Sequence, residues 1–95
     1  MKPLAVMTLC AGLLAAGCAS DAGGRMIVSG TGPDDLLKLR SGPSLEYKII
    51  MGLPDGTELQ RRDCVTELGQ RWCRVSLVES PGVTGYVSAD YLTQL

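Results

Sequence analysis

The chain reads as an all-β protein: a small five-stranded barrel preceded by an export signal and a flexible tether. Three observations carry that reading. From Leu36 to the C-terminus, short apolar runs alternate with turns rich in Gly and Pro, the pattern of a compact antiparallel sheet. No stretch there has the 3.6-residue apolar period of a long amphipathic helix. Two cysteines, Cys64 and Cys73, flank a segment that can fold back on itself as a hairpin.

At the N-terminus, Lys2 precedes an apolar run that extends from Leu4 to Ala19 and stops before Ser20 and Asp21. A membrane-spanning helix needs roughly 20 mostly apolar residues. The second half of this run is largely Ala and Gly, so it is too weakly apolar to span and fits a signal peptide instead. Leu13-Leu14-Ala15-Ala16-Gly17-Cys18 resembles the lipobox of bacterial lipoproteins, with Ala15 where that family usually has Leu. The resemblance implies that residues 1–17 are removed and that Cys18 carries the lipid, with acyl chains of the palmitate class. Cys10 follows Leu9 rather than a small residue and does not fit. An ordinary secretory signal, cut nearby without lipid, is the alternative. Ala19 rather than Asp after the cysteine implies a place on the periplasmic face of the outer membrane, within the cell envelope. A single acyl chain binds membranes only reversibly whereas two signals suffice for stable attachment, so the three chains usual on such a cysteine imply a permanent membrane anchor. Residues 18–35, rich in Ala, Gly, Ser and Asp, read as a flexible linker. Within it, Met26-Ile27-Val28 is too short for a core of its own but long enough to add a strand edge or pack on the domain.

Residues 36–95, about 60 in all, have room for one small domain. Leu37-Lys38-Leu39-Arg40 alternates as a half-buried strand does, and Ser41-Gly42-Pro43-Ser44 breaks it. A second strand is expected over 48–53. Pro54-Asp55-Gly56 then turns the chain, since Pro presets φ and Gly tolerates positive φ. A third strand over 57–64, a fourth over 71–78 and, after Pro81-Gly82, a fifth over 84–87 complete the set. The alternation puts Leu37, Leu39, Ile49, Leu53, Leu59, Val75, Val87 and Leu92 in the core, with Met51 and Leu77 beside them. Arg61 occupies an apolar position of its strand, which predicts a bulge or register shift there.

The cysteines agree with an exported domain, where disulfides persist. With Cys10 in the signal and Cys18 lipidated, Cys64 and Cys73 remain as a pair. A hairpin centred between Leu68 and Gly69 sets Thr66 opposite Arg71, Val65 opposite Trp72, and Cys64 opposite Cys73. Directly opposed residues in a non-hydrogen-bonded pair lie ~4.5 Å apart, within reach of a disulfide. The bridge would close a loop of about ten residues and contribute ~2.7 kcal/mol. A metal role is disfavoured, because the chain has no His and two thiolates alone make a poor zinc site.

Four stretches in order resemble the bacterial SH3 domain: Leu37-Lys38-Leu39-Arg40-Ser41-Gly42-Pro43-Ser44, Leu53-Pro54-Asp55-Gly56-Thr57-Glu58-Leu59, Trp72-Cys73-Arg74-Val75, and Gly85-Tyr86-Val87-Ser88-Ala89-Asp90-Tyr91-Leu92. Tyr86 stands where Trp is commoner. The resemblance implies an SH3-like barrel and a binding module for cell-wall glycan or peptide, or for a periplasmic protein partner.

Catalysis has little support in the residues. There is no His, and the carboxylates fall mostly in expected turns, with no pair placed in a shielded cleft for acid–base work. No phosphate-cradling motif is present, so no cofactor and no metal site is expected. A net charge of −1 without a basic stripe argues against nucleic acid. The aromatic residues are the better lead. Trp72 and Tyr86 fall opposite in parity to Val75 and Val87, so both should face away from the core, where they either form a ligand face or, in the case of Trp72, cover the barrel end. Tyr47, Tyr91 and Arg40 are the further candidates for that face. A docking subunit that uses the domain edge, without a ligand pocket, is the alternative function.

Overall fold

The computed structural model describes residues 23–95. The segment 1–17 expected to be a signal peptide, Cys18 and the start of the expected linker lie outside the described residues. Among the described residues seven strands form one antiparallel sheet: β1 (Arg25–Val28), β2 (Leu37–Arg40), β3 (Ile49–Leu53), β4 (Glu58–Glu67), β5 (Gln70–Leu77), β6 (Thr84–Ser88) and β7 (Leu92–Gln94), with a 3₁₀ turn at Ala89–Tyr91. Their order across the sheet is β3-β2-β6-β5-β4-β1-β7. Leu37, Leu39 and Leu53 from one end of that order share a single core cluster with Val28 and Leu59 from the other. The sheet is therefore curled into a half-barrel around that core.

The five expected strands are present as β2 to β6, and two more close the sheet. β7 extends the chain beyond the 3₁₀ turn. From Arg25 to Val28, β1 replaces a flexible linker and realises the strand edge foreseen for Met26-Ile27-Val28. It pairs with β4 through Met26↔Leu59 and with β7 through Val28↔Leu92. Met26 and Val28 are buried. Three residues with no core of their own become a strand because two neighbours supply both the hydrogen bonds and the apolar surface, a tertiary override of a weak local signal.

The hairpin β4–β5 has the expected register: Cys64↔Cys73, Val65↔Trp72 and Thr66↔Arg71. Leu68 and Gly69 at its tip have φ of 51° and 80°, the double positive φ of a type I′ turn, whose twist matches that of the strands. The Cys64–Cys73 disulfide is formed, with the Cα atoms 3.9 Å apart. The bulge foreseen at Arg61 lies between Arg61 and Cys64, where Arg62 and Asp63 together oppose Arg74. The extra residue lets Asp63 meet Arg74 at 2.8 Å.

Of the expected core, Leu37, Leu39, Leu53, Leu59, Val75 and Val87 are buried, while Leu77 and Leu92 pack half-buried against them. Ile49 and Met51 are not core residues: they are 48% and 40% exposed. β3 is an edge strand, and its pairing with β2 shifts register between Leu39 and Arg40. Only its Leu53 end reaches under the curl. Met26, Val28 and Cys73 take their place in the interior.

Candidate functional site

Three chain segments rise around one side chain, Trp72. The first is the loop 41–48 between β2 and β3. Its turns are closed by hydrogen bonds from Ser44 N to Gly42 O (3.0 Å), Tyr47 N to Ser44 O (3.3 Å) and Ser41 N to Lys48 O (3.0 Å). Arg40 at its base donates from Nη1 to the carbonyl oxygens of Leu45 (3.2 Å) and Tyr47 (3.1 Å). The Tyr47 ring lies against Gly42, where a Cβ would overlap it. Glycine here is what lets the ring fold down on the loop.

The second segment is the β4–β5 tip. The third is the 3₁₀ turn, capped by Ser88, whose Oγ accepts from Asp90 N (3.3 Å) and from Gln70 Nε2 (3.0 Å). That amide ties the hairpin to the turn. Tyr91 is held in place through its carbonyl, which accepts from Ser29 N at 2.9 Å.

Between the segments runs an open groove of 990 Å³. Trp72 and Ser88 form its floor. Pro43, Leu45 and Tyr47 line one wall, and Leu68 and Gln70 the other, with Tyr91 at the end. An adjoining pocket of 210 Å³ shares Leu45, Trp72, Ser88 and Tyr91 and extends to Arg40 and Lys38. The aromatic face thus comes from a strand, a loop and a turn remote from one another in sequence, as concave binding sites commonly do.

Of the five ligand candidates, Trp72, Tyr47, Tyr91 and Arg40 are brought together here. Tyr86 is not: it is half-buried on β6, opposite Arg74 and Arg40, and lines neither cavity. Trp72 differs from expectation in exposure. It stands outside the core cluster, as its parity requires, yet is only 5% exposed. The flanking segments cover it and leave it as a floor instead of an open face. Arg40 commits its Nη1 to the loop carbonyls of Leu45 and Tyr47. Leu45, Glu46, Glu67 and Leu68 were not expected at the site. The one sequence signal for them is Leu68, an apolar residue in a turn where Asn or Gly is the usual choice.

Three carboxylates stand on the groove, Glu46, Glu67 and Asp90. Of the acidic groups elsewhere, Asp55 and Asp35 are held by neighbouring groups. Asp55 accepts from Thr31 Oγ1 (2.7 Å) and Thr31 N (3.0 Å), which holds its carboxyl below the ordinary value. Asp35 is held low by the Leu36 backbone amide and then by Lys38. Among the described residues no group of three or more His, Cys, Asp or Glu is placed to hold a metal ion. What the arrangement offers is an aromatic floor, apolar walls and fixed hydrogen-bonding groups, the makings of a recognition groove.

The comparisons agree with this fold. The model of the family described as "Bacterial SH3 domain" matches residues 35–93. A curated relative, "Putative N-acetylmuramoyl-L-alanine amidase YrvJ" of Bacillus subtilis (strain 168), is 32% identical over 74 residues, which cover 78% of this chain. The chain spans only 12% of that protein's length. No solved structure matches at significance. With most of its length matched by the family model and the strands in place, the chain belongs to the bacterial SH3 domain family.

Proposed function

We propose that the protein is a membrane-anchored envelope lipoprotein whose SH3 domain binds cell-wall peptide or glycan in the Trp72 groove and performs no catalysis itself. The observation that carries the reading is the groove: a concave site with a buried Trp floor and the half-exposed rings of Tyr47 and Tyr91. Flat amphipathic rings of this kind dominate binding surfaces. The name of the amidase relative supports a wall ligand. The lipobox at Cys18 supports an anchor in the outer membrane, facing the periplasm, close to such a ligand.

A second reading has its own observation. β3 is an open edge on which Ile49, Ile50 and Met51 are exposed, and unpaired strand edges recruit other chains. A docking subunit would use that edge and leave the groove empty.

Co-sedimentation of the purified protein with wall sacculi separates the two. Binding that is retained in a Met51→Lys edge variant and lost in a Tyr47→Ala/Tyr91→Ala groove variant is the expected result. The reverse pattern would replace the groove reading with the edge. In cells, Cys18→Ser is expected to move the protein from the membrane to the soluble fraction, and a protein that stays on the membrane would overturn the anchor.

A further inference from the structure

The acidic groups of the described chain are distributed unevenly. Asp35, Glu58 and Asp63 are ion-paired with Lys38, Arg25 and Arg74, and Asp55 is tied into the loop at Thr31. That leaves Asp34, Glu46, Glu67, Glu79 and Asp90 with no cation within salt-bridge distance among the described residues. Three of those five, Glu46, Glu67 and Asp90, border the same groove. They come from three different segments: the 41–48 loop, the hairpin tip and the 3₁₀ turn. Among the described residues no Lys or Arg lines that groove. Lys38 and Arg40 line the adjoining pocket instead, where Lys38 pairs with Asp35 and Arg40 Nη1 donates to the carbonyls of Leu45 and Tyr47.

We infer, building on the binding role proposed above, that the groove selects a cationic ligand: an extended peptide segment bearing a side-chain ammonium group. Three exposed carboxylates with no paired cation set a negative potential over a concave site, where field lines concentrate. The rings of Tyr47 and Tyr91 add the attraction of aromatic faces for an ammonium ion. Leu45, Pro43 and Leu68 offer apolar contact for the methylene stem that carries such a group. Leu68 is 98% exposed at the groove rim, where it contacts solvent in the free protein and is free to contact a ligand stem. The same field disfavours a phosphate, a carboxylate-rich glycan or an anionic lipid, since like-charge juxtaposition penalises the wrong partner.

Trp72 is the sole tryptophan of the chain, so its fluorescence reports occupancy of the groove directly. The probes are the tetrapeptide Ala-Ala-Lys-Ala, blocked at both termini, and the same peptide acetylated at the lysine Nζ. The free-amine peptide is expected to shift Trp72 emission saturably, with an affinity that falls as salt is raised. Acetylation and the triple variant Glu46→Gln/Glu67→Gln/Asp90→Asn are each expected to weaken binding by about tenfold or more, given what several exposed charge pairs contribute together. Circular dichroism of the triple variant checks that it folds. Equal binding of the two peptides, no binding of either, or an unaffected folded triple variant overturns the inference. Sacculi whose amines have been acetylated separate this from the function proposed above. If they are still retained by the groove, wall binding stands and the charge selection fails. If untreated sacculi are not bound but the free-amine peptide is, the wall ligand fails and the charge selection stands.

Discussion

The hairpins β2–β3 and β4–β5 are built in opposite ways. In β4–β5 a two-residue turn joins the strands, both of its φ angles are positive, and a disulfide bridges them. Its register is set by residues close in sequence. In β2–β3 the loop 41–48 intervenes, the pairing slips between Leu39 and Arg40, and the outer strand exposes Ile49, Ile50 and Met51. Its shape is set by contacts across the loop: the Arg40 guanidinium on two carbonyls and the Tyr47 ring on Gly42. The groove lies at the seam between the two. The locked hairpin provides a fixed floor in Trp72, and the loop provides a wall whose position depends on a few tertiary contacts. Loops placed on a rigid scaffold are where recognition is commonly carried.

The difference can be broken at its largest by removing the floor. Trp72→Ala deletes a buried aromatic and is expected to cost ~3–5 kcal/mol, against a total of roughly 4–11 kcal/mol for a domain of this length. A urea melt should show the unfolding free energy reduced by that amount, with the transition moved to much lower denaturant. A transition left where it is in the parent protein would show that the floor is dispensable to the fold and that Trp72 serves the ligand alone.

Next in size is the lock. Cys64→Ala/Cys73→Ala is expected to lose ~2–3 kcal/mol and more than about ten degrees of Tm, with the register kept because the turn still encodes it. A melting temperature unchanged on reduction or in the double variant would mean that the bridge adds nothing to what the turn enforces.

The smallest effect sharpens the contrast. Arg40→Met removes the guanidinium hydrogen bonds but keeps the stem, at a cost of ~1–2 kcal/mol. Amide hydrogen exchange should speed up across the 41–48 loop and stay unchanged across β4–β5, with peptide affinity falling alongside. Equal protection of the loop in both proteins would show that its shape does not depend on Arg40.

These contrasts mark how much could be read without a structure. Strands β2 to β6 were legible because each carries alternation or turn chemistry of its own. The Cys64–Cys73 pairing followed from the hairpin centre, and the bulge followed from one arginine in an apolar slot. Parity pointed Trp72 and Tyr86 away from the core, and of the two only Trp72 reaches the groove; Tyr47 and Tyr91 were candidates as the remaining aromatics and Arg40 as a flanking charge. The exposure of Trp72 could not, because the loop, the tip and the 3₁₀ turn that cover it lie outside its own strand.

The sequence by itself determined the all-β class, the central strands and the disulfide register, because these depend on period-two alternation and on turns of a few residues. The tertiary structure alone decided that Met26 and Val28 belong to the core, that Ile49 and Met51 do not, and that Glu46, Glu67 and Asp90 meet over one floor. Burial at a sheet edge and charge density in a groove depend on which distant segments become neighbours, and that is fixed only when the sheet curls and closes its ends around a shared core.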